Sequence, residues 1–185
     1  MKRAFLLTVL VVMALVSGFY QEKLKISINY ILDTGGKMPG FFDLAADEKE
    51  RWIEETRIDA SFDYYHNHQT ISWLYLLDQR QLAASKWIVT GLFILLFLLL
   101  NRYTLVTLGV SENVVRLLPR IYAGLIVFSL GVYAIGIAGL GPSHCYAISR
   151  KIMGALQSVV PVLILWPAAK LWTLQYKFSG DEKHE

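Results

Sequence analysis

Four long runs of apolar positions, separated by polar stretches of unequal length, organise this chain. The first, AFLLTVLVVMALVSGFY (4–20), contains no charged residue. The second, WIVTGLFILLFLLL (87–100), lies between Lys86 and Arg102, which on a helix are separated by roughly 24 Å at about 1.5 Å per residue. The third, IYAGLIVFSLGVYAIGIAGLG, covers 121–141, and the fourth, IMGALQSVVPVLILWPAAKLW, covers 152–172. Each approaches the ~20 residues a bilayer-crossing helix needs. The pattern predicts an all-α integral membrane protein, a four-transmembrane-helix bundle with crossings at 1–20, 87–108, 121–141 and 152–172.

The polar stretches predict the rest. Within 21–86, Leu24, Ile28, Ile31 and Leu32 have helical spacing, with Gly35 and Gly36 as a stop. The alternation Leu24, Ile26, Ile28, Tyr30 also fits a strand, but a lone strand has nothing to pair with, so a helix continuing from the first run is expected. DLAADEKERWIEETRI reads as a surface helix with Asp47, Arg51 and Glu55 at successive four-residue steps, solvated charges, and Trp52 and Ile53 as its seat. The apolar, aromatic stretch 69–77 is too short to span and is expected to lie along the outer membrane surface, with Trp73 and Tyr75 at headgroup depth. Asp78 and Gln81 have capping-box spacing, which starts the second crossing helix just after Asp78. Residues 109–120 form a loop containing a short helix capped by Ser111, residues 142–151 a short loop in which Pro142 suits a helix start, and 173–185 a polar tail.

Composition agrees with a membrane protein: 55% of the 185 residues are hydrophobic, 18% are charged and mean hydropathy is +0.41, too apolar for a soluble domain. Charge sets the expected orientation. Segment 21–86 holds eight Lys or Arg against eleven Asp or Glu, whereas the short segments carry Lys2 and Arg3, then Arg102, Arg116 and Arg120, then Lys170, Lys177 and Lys183. Only Arg150 and Lys151 stand on the other side, so both termini are expected in the cytoplasm and 21–86 outside the plasma (inner) membrane. The basic balance thus belongs to a bilayer face and not to a nucleic-acid surface. The first run also reads as a cleavable signal peptide, with its MKR start and LVSG, although an uncleaved signal anchor is preferred. Cys145, the single cysteine, makes no internal disulfide.

Candidate chemistry gathers on the outer side. DYYHNHQTIS places His66 and His68 beside Asp63, and the 142–151 connection contains His144 and Cys145. Two imidazoles at His-x-His spacing can share a metal on an extended segment, with His144 and Asp63 to complete the set and Cys145 as a softer ligand. Alternatively, His66 or His68 acts with His144 as general base and acid on a lipid-linked substrate. Tyrosine and histidine also populate interfacial belts for their amphipathic rings alone. The layout resembles that of bacterial lipoprotein transacylases, four-span proteins with outward-facing histidines. That resemblance implies an interfacial enzyme, while the connection GPSHCYAISRK is shorter than theirs and no residue role is carried over. The same segment is similar to the histidine segment of membrane phosphatases of the phosphatidic-acid type, without their other phosphate-binding motifs.

Inside the predicted bilayer, Gly124, Gly131, Ala134, Ala138 and Gly141 line one helix face and permit close approach of a neighbouring backbone. On the fourth run Arg150, Gly154, Gln157 and Pro161 share a stripe, with Ser158 adjacent, and their polar members should face protein or a wet cavity. Pro161 and Pro167 are expected to kink that helix. No phosphate-binding glycine loop, zinc-finger spacing or nucleophile elbow is present, and no cofactor is identified. The leading expectation is an accessory or scaffolding multi-pass membrane protein that associates with another membrane protein or a second copy of itself. An interfacial enzyme on lipid-linked substrates is the alternative, and metal or haem binding comes third.

Overall fold

The computed structural model of the chain describes residues 2–59, 71–139 and 142–181. Among these residues every regular element is helical: α1 (Lys2–Gly35), α2 (Ala46–Asp59), α3 (Gln79–Thr107), α4 (Glu112–Ile137), α5 (Pro142–Leu156) and α6 (Val160–Asp181), with 3₁₀ turns at Phe41–Asp43 and Ser72–Leu76. Helices α1, α3 and α4 are each long and apolar enough to cross a membrane. Residues of α5 and α6 together would make a fourth crossing only as one broken span, bent by 65°. Among the described residues the protein is therefore all-helical, with three to four candidate spans. The described residues form two compact units, Ser17–Phe93 and Met1–Val16 with Ile94–Glu185.

In the 17–93 unit, the continuation of α1 buries Ile26, Ile28, Tyr30 and Ile31, so it is surrounded on most sides. Those four positions cover about 200° of the helix at 100° per residue, wide enough that Ile26, Ile28 and Tyr30 fit an alternating pattern as well as a helical one. The helix stops where predicted, at Gly35, and a side chain there would run into the ring of Phe41. Phe41, Ile53, Leu74, Tyr75, Leu82 and Val89 complete this core. The predicted capping box forms at the start of α3: the Asp78 N–H donates to Gln81 Oε1 (3.0 Å) and the Gln81 N–H to Asp78 Oδ1 (2.7 Å).

Two expectations in this unit are corrected. Trp73 is exposed, but Tyr75 is buried in the core and not turned outward, because the 3₁₀ turn sends neighbouring side chains to different faces. Nor are the charges of α2 all solvated. Lys49 is only 5% exposed, and its Nζ donates to the Tyr75 carbonyl at 3.4 Å, fastening α2 to the 72–76 turn.

In the other unit, Ile94, Leu105, Val115, Leu118, Tyr122, Leu156 and Val162 form the core. Helix α3 ends in a Schellman motif. The Val110 N–H donates to Leu105 O (3.1 Å) and the Gly109 N–H to Val106 O (3.0 Å), with Gly109 at φ +74° supplying the left-handed turn. The helix expected within 109–120 is the beginning of α4, which continues through Pro119. Burial of Val115 and Leu118 on either side of the 116–117 step holds that end on the core and offsets the proline. Ser111 stands at the N-cap position without a side-chain capping bond. The connection predicted at 142–151 is helical from Pro142, and the fourth run is divided between α5 and α6.

Candidate functional site

The break between α5 and α6 gathers the buried polar groups of the second unit. In an unbroken helix Pro161 would lack the N–H for the carbonyl of Gln157 and its ring would press on that carbonyl. Instead α5 closes with the Gln157 N–H shared between Met153 O (3.2 Å) and Gly154 O (3.1 Å). Ser158 then turns the chain: its hydroxyl donates to Ala155 O (2.7 Å) and accepts from the Val160 N–H (3.2 Å). Pro161 falls in the first turn of α6, where a missing donor costs nothing.

A broken helix in apolar surroundings leaves carbonyls that must find donors from elsewhere. Two side chains supply them. Asn101 on α3 is 1% exposed, and its Nδ2 donates to Ser158 O at 2.9 Å and to Tyr122 Oη at 2.8 Å. Tyr122 on α4 donates its own proton to Leu156 O at 2.9 Å. The orientation of the amide follows, because the Ser158 carbonyl can only accept and must face the NH₂ end. Three helices are thus tied to one break. Sequence reasoning missed both donors; the available signal was a lone amide ending an apolar run, at Asn101 beside Arg102.

One turn-pair further along, Ser129 Oγ lies 2.8 Å from Ser149 Oγ and donates to Ser149 O at 3.2 Å. With Tyr122 against Leu156, this fixes the antiparallel register of α4 and α5: seven residues along one helix match seven along the other. Tyr133 and Tyr146, ring centroids 6.4 Å apart, continue the same register. Ser129 stands at the middle of 121–137, roughly 12 Å from either end at about 1.5 Å per residue. Arg150 and Lys151, which follow Ser149 directly, are therefore carried alongside the middle of that stretch of α4. Both are exposed, and neither side chain makes an ion pair or hydrogen bond among the described residues. A basic side chain at the centre of a spanning helix costs about 2.5–3.5 kcal/mol on insertion scales.

The remaining predicted residues fall as follows. Asp63, His66 and His68 lie outside the described residues. His144 is exposed in the first turn of α5 and Cys145 is partly buried. Among the described residues no three His, Cys, Asp or Glu side chains gather as a metal set. The stripe expected to hold Arg150, Gly154, Gln157 and Pro161 together is split by the break: Gln157 is buried, while Arg150 and Gly154 face outward. On α4, Gly124, Gly131, Ala134 and Ala138 are exposed, with open space where a Cβ on Gly124 or Gly131 would stand. Gly141 lies outside the described residues.

The architecture is consistent with a membrane protein of three to four apolar spans, of which α3 and α4 are tied by hydrogen bonds to the break between α5 and α6. No protein-family model matches the chain, and no curated protein or solved structure is significantly similar to it.

Proposed function

We propose that this chain is an accessory or scaffolding subunit of a membrane assembly, residing in the plasma membrane with both termini in the cytoplasm and binding another membrane protein laterally. The observation that carries the reading is the division of α4 into two opposed stripes. Val115, Leu118, Tyr122, Ser129 and Gly136 turn inward. Gly124, Gly131 and Ala138, two positions on from Tyr122, Ser129 and Gly136, are turned by about 200° and stay exposed. Small residues facing outward do no packing within their own chain. They leave a shallow groove into which another helix can settle with its backbone close, the arrangement that drives helix association where lipid offers no hydrophobic force.

The test is extraction of the tagged full-length chain from its native membranes in mild detergent, with cross-linking from a photoreactive residue at position 127 or 135. A cross-linked heteromeric complex is expected for the wild type, with loss of the adduct in Gly124→Leu/Gly131→Leu. A wild-type chain that runs only as a monomer, or a complex indifferent to the leucines, would refute the reading.

A further inference from the structure

We infer that the outward face of α5 binds a transmembrane segment of a partner protein bearing a carboxylate, which pairs with Arg150 and Lys151 within the membrane. The inference rests on the reading of the chain as a subunit of a membrane assembly and names the chemistry of a second contact, on a helix different from the grooved one.

Three observations carry it. The first is depth: the Ser129–Ser149 and Tyr122–Leu156 contacts set the register that holds the basic pair opposite the middle of the apolar stretch 121–137 of α4. The second is the character of that layer. At the same level α4 exposes Val127, Phe128 and Leu130, and α5 exposes Ile148. Side chains of this kind face hydrocarbon, so the layer is not a water-filled one, and two cations in it call for an anion. The third is access. Ala147 and Gly154 bracket the pair at three or four residues on each side, all four residues are exposed, and a Cβ on Gly154 would meet nothing. A helix can therefore approach closely enough for its carboxylate to reach both cations.

The depth also selects the source of the anion. A phospholipid phosphate stays at the headgroup plane, and roughly 12 Å of α4 separates that plane from Ser129 on either side. That is farther than an arginine or lysine stem extends. A carboxylate on a spanning helix sits at any depth its sequence dictates. Charge complementarity with a buried acidic residue therefore explains why two basic residues are tolerated here.

The test uses the full-length chain in native membranes with a photoreactive residue at Ala147. In the wild type, the adduct is expected to map to a membrane-spanning segment that contains Asp or Glu. Arg150→Leu/Lys151→Leu is expected to lower its yield by about tenfold or more, as when one side of a desolvated ion pair is removed. Arg150→Lys/Lys151→Arg is expected to retain it. Arg150→Glu/Lys151→Glu is expected to lose it and to regain it when the partner's acid is changed to Lys. Leucine on a lipid-facing position favours insertion, and a monodisperse elution profile of the double variant guards against loss of folding.

An adduct on a segment without an acid, or one unchanged by the leucines, overturns the inference while leaving the subunit reading standing. So does an adduct on phospholipid alone, or rapid labelling of Lys151→Cys by a membrane-impermeant maleimide in a Cys145→Ser background. A wild type without any protein adduct from position 147 overturns it as well, and if position 127 or 135 also captures nothing, the subunit reading falls with it.

Discussion

Replacing Tyr122 by phenylalanine removes one oxygen and almost no volume, yet that oxygen serves two helices. It donates to Leu156 O at 2.9 Å and accepts from Asn101 Nδ2 at 2.8 Å, in a residue that is 1% exposed. The variant leaves a carbonyl at the end of α5 and one amide proton of Asn101 without partners. In soluble cores each such group costs about 1–3 kcal/mol. Side-chain hydrogen bonds inside membrane proteins average about 0.6 and reach about 1.7 kcal/mol, because the unfolded chain in lipid also finds partners. The expected loss for Tyr122→Phe is therefore about 1–2 kcal/mol, or roughly five- to thirty-fold in the unfolding equilibrium. Reversible unfolding by sodium dodecyl sulfate in mixed micelles, followed by tryptophan fluorescence, measures it. Asn101→Leu and the double variant complete a cycle whose coupling energy should reach about 0.5–1.5 kcal/mol. A Tyr122→Phe protein within about 0.3 kcal/mol of wild type, or additive single effects, would show that the break does not depend on this pair.

Two further outcomes follow from the same geometry. Asp78→Ala removes the acceptor of the Gln81 N–H and half of the reciprocal pair at the start of α3, and should lower stability by about 0.5–2 kcal/mol, read by the same titration; Asp78→Ser should restore most of it. Gly35→Ala drives a methyl group into the Phe41 ring, with an expected cost of about 1–3 kcal/mol, and combining it with Phe41→Leu should recover part of the loss, whereas an unchanged melting temperature for the single variant would mean that the ring moves aside freely.

Much of the local structure was readable from spacing. The extension of α1 to Gly35, the capping box at Asp78 and Gln81, and the small-residue line on α4 all follow from residues within a turn or two of one another. The polar tie did not. Neither Asn101, just past the second apolar run, nor Tyr122, near the start of the third, is singled out by its neighbours in sequence. Their role depends on Ser158, 57 residues from Asn101 along the chain, and on a break that turns backbone carbonyls into acceptors. Lys49 was misread for the same reason: the carbonyl it bonds, that of Tyr75, lies on a different element. Of the predicted outer site, only His144 and Cys145 lie among the described residues.

Periodicity and length alone determined that this chain is built from apolar helices and where most of them begin, because a helix is stabilised by contacts between residues three and four apart. Tertiary structure decided two things: which stripe of α4 faces inward, and the level of α4 beside which Arg150 and Lys151 stand. Both depend on how α4 and α5 slide past each other. Apolar side chains pack acceptably at many offsets, but the hydroxyls of Tyr122 and Ser129 meet Leu156 O and Ser149 at one of them.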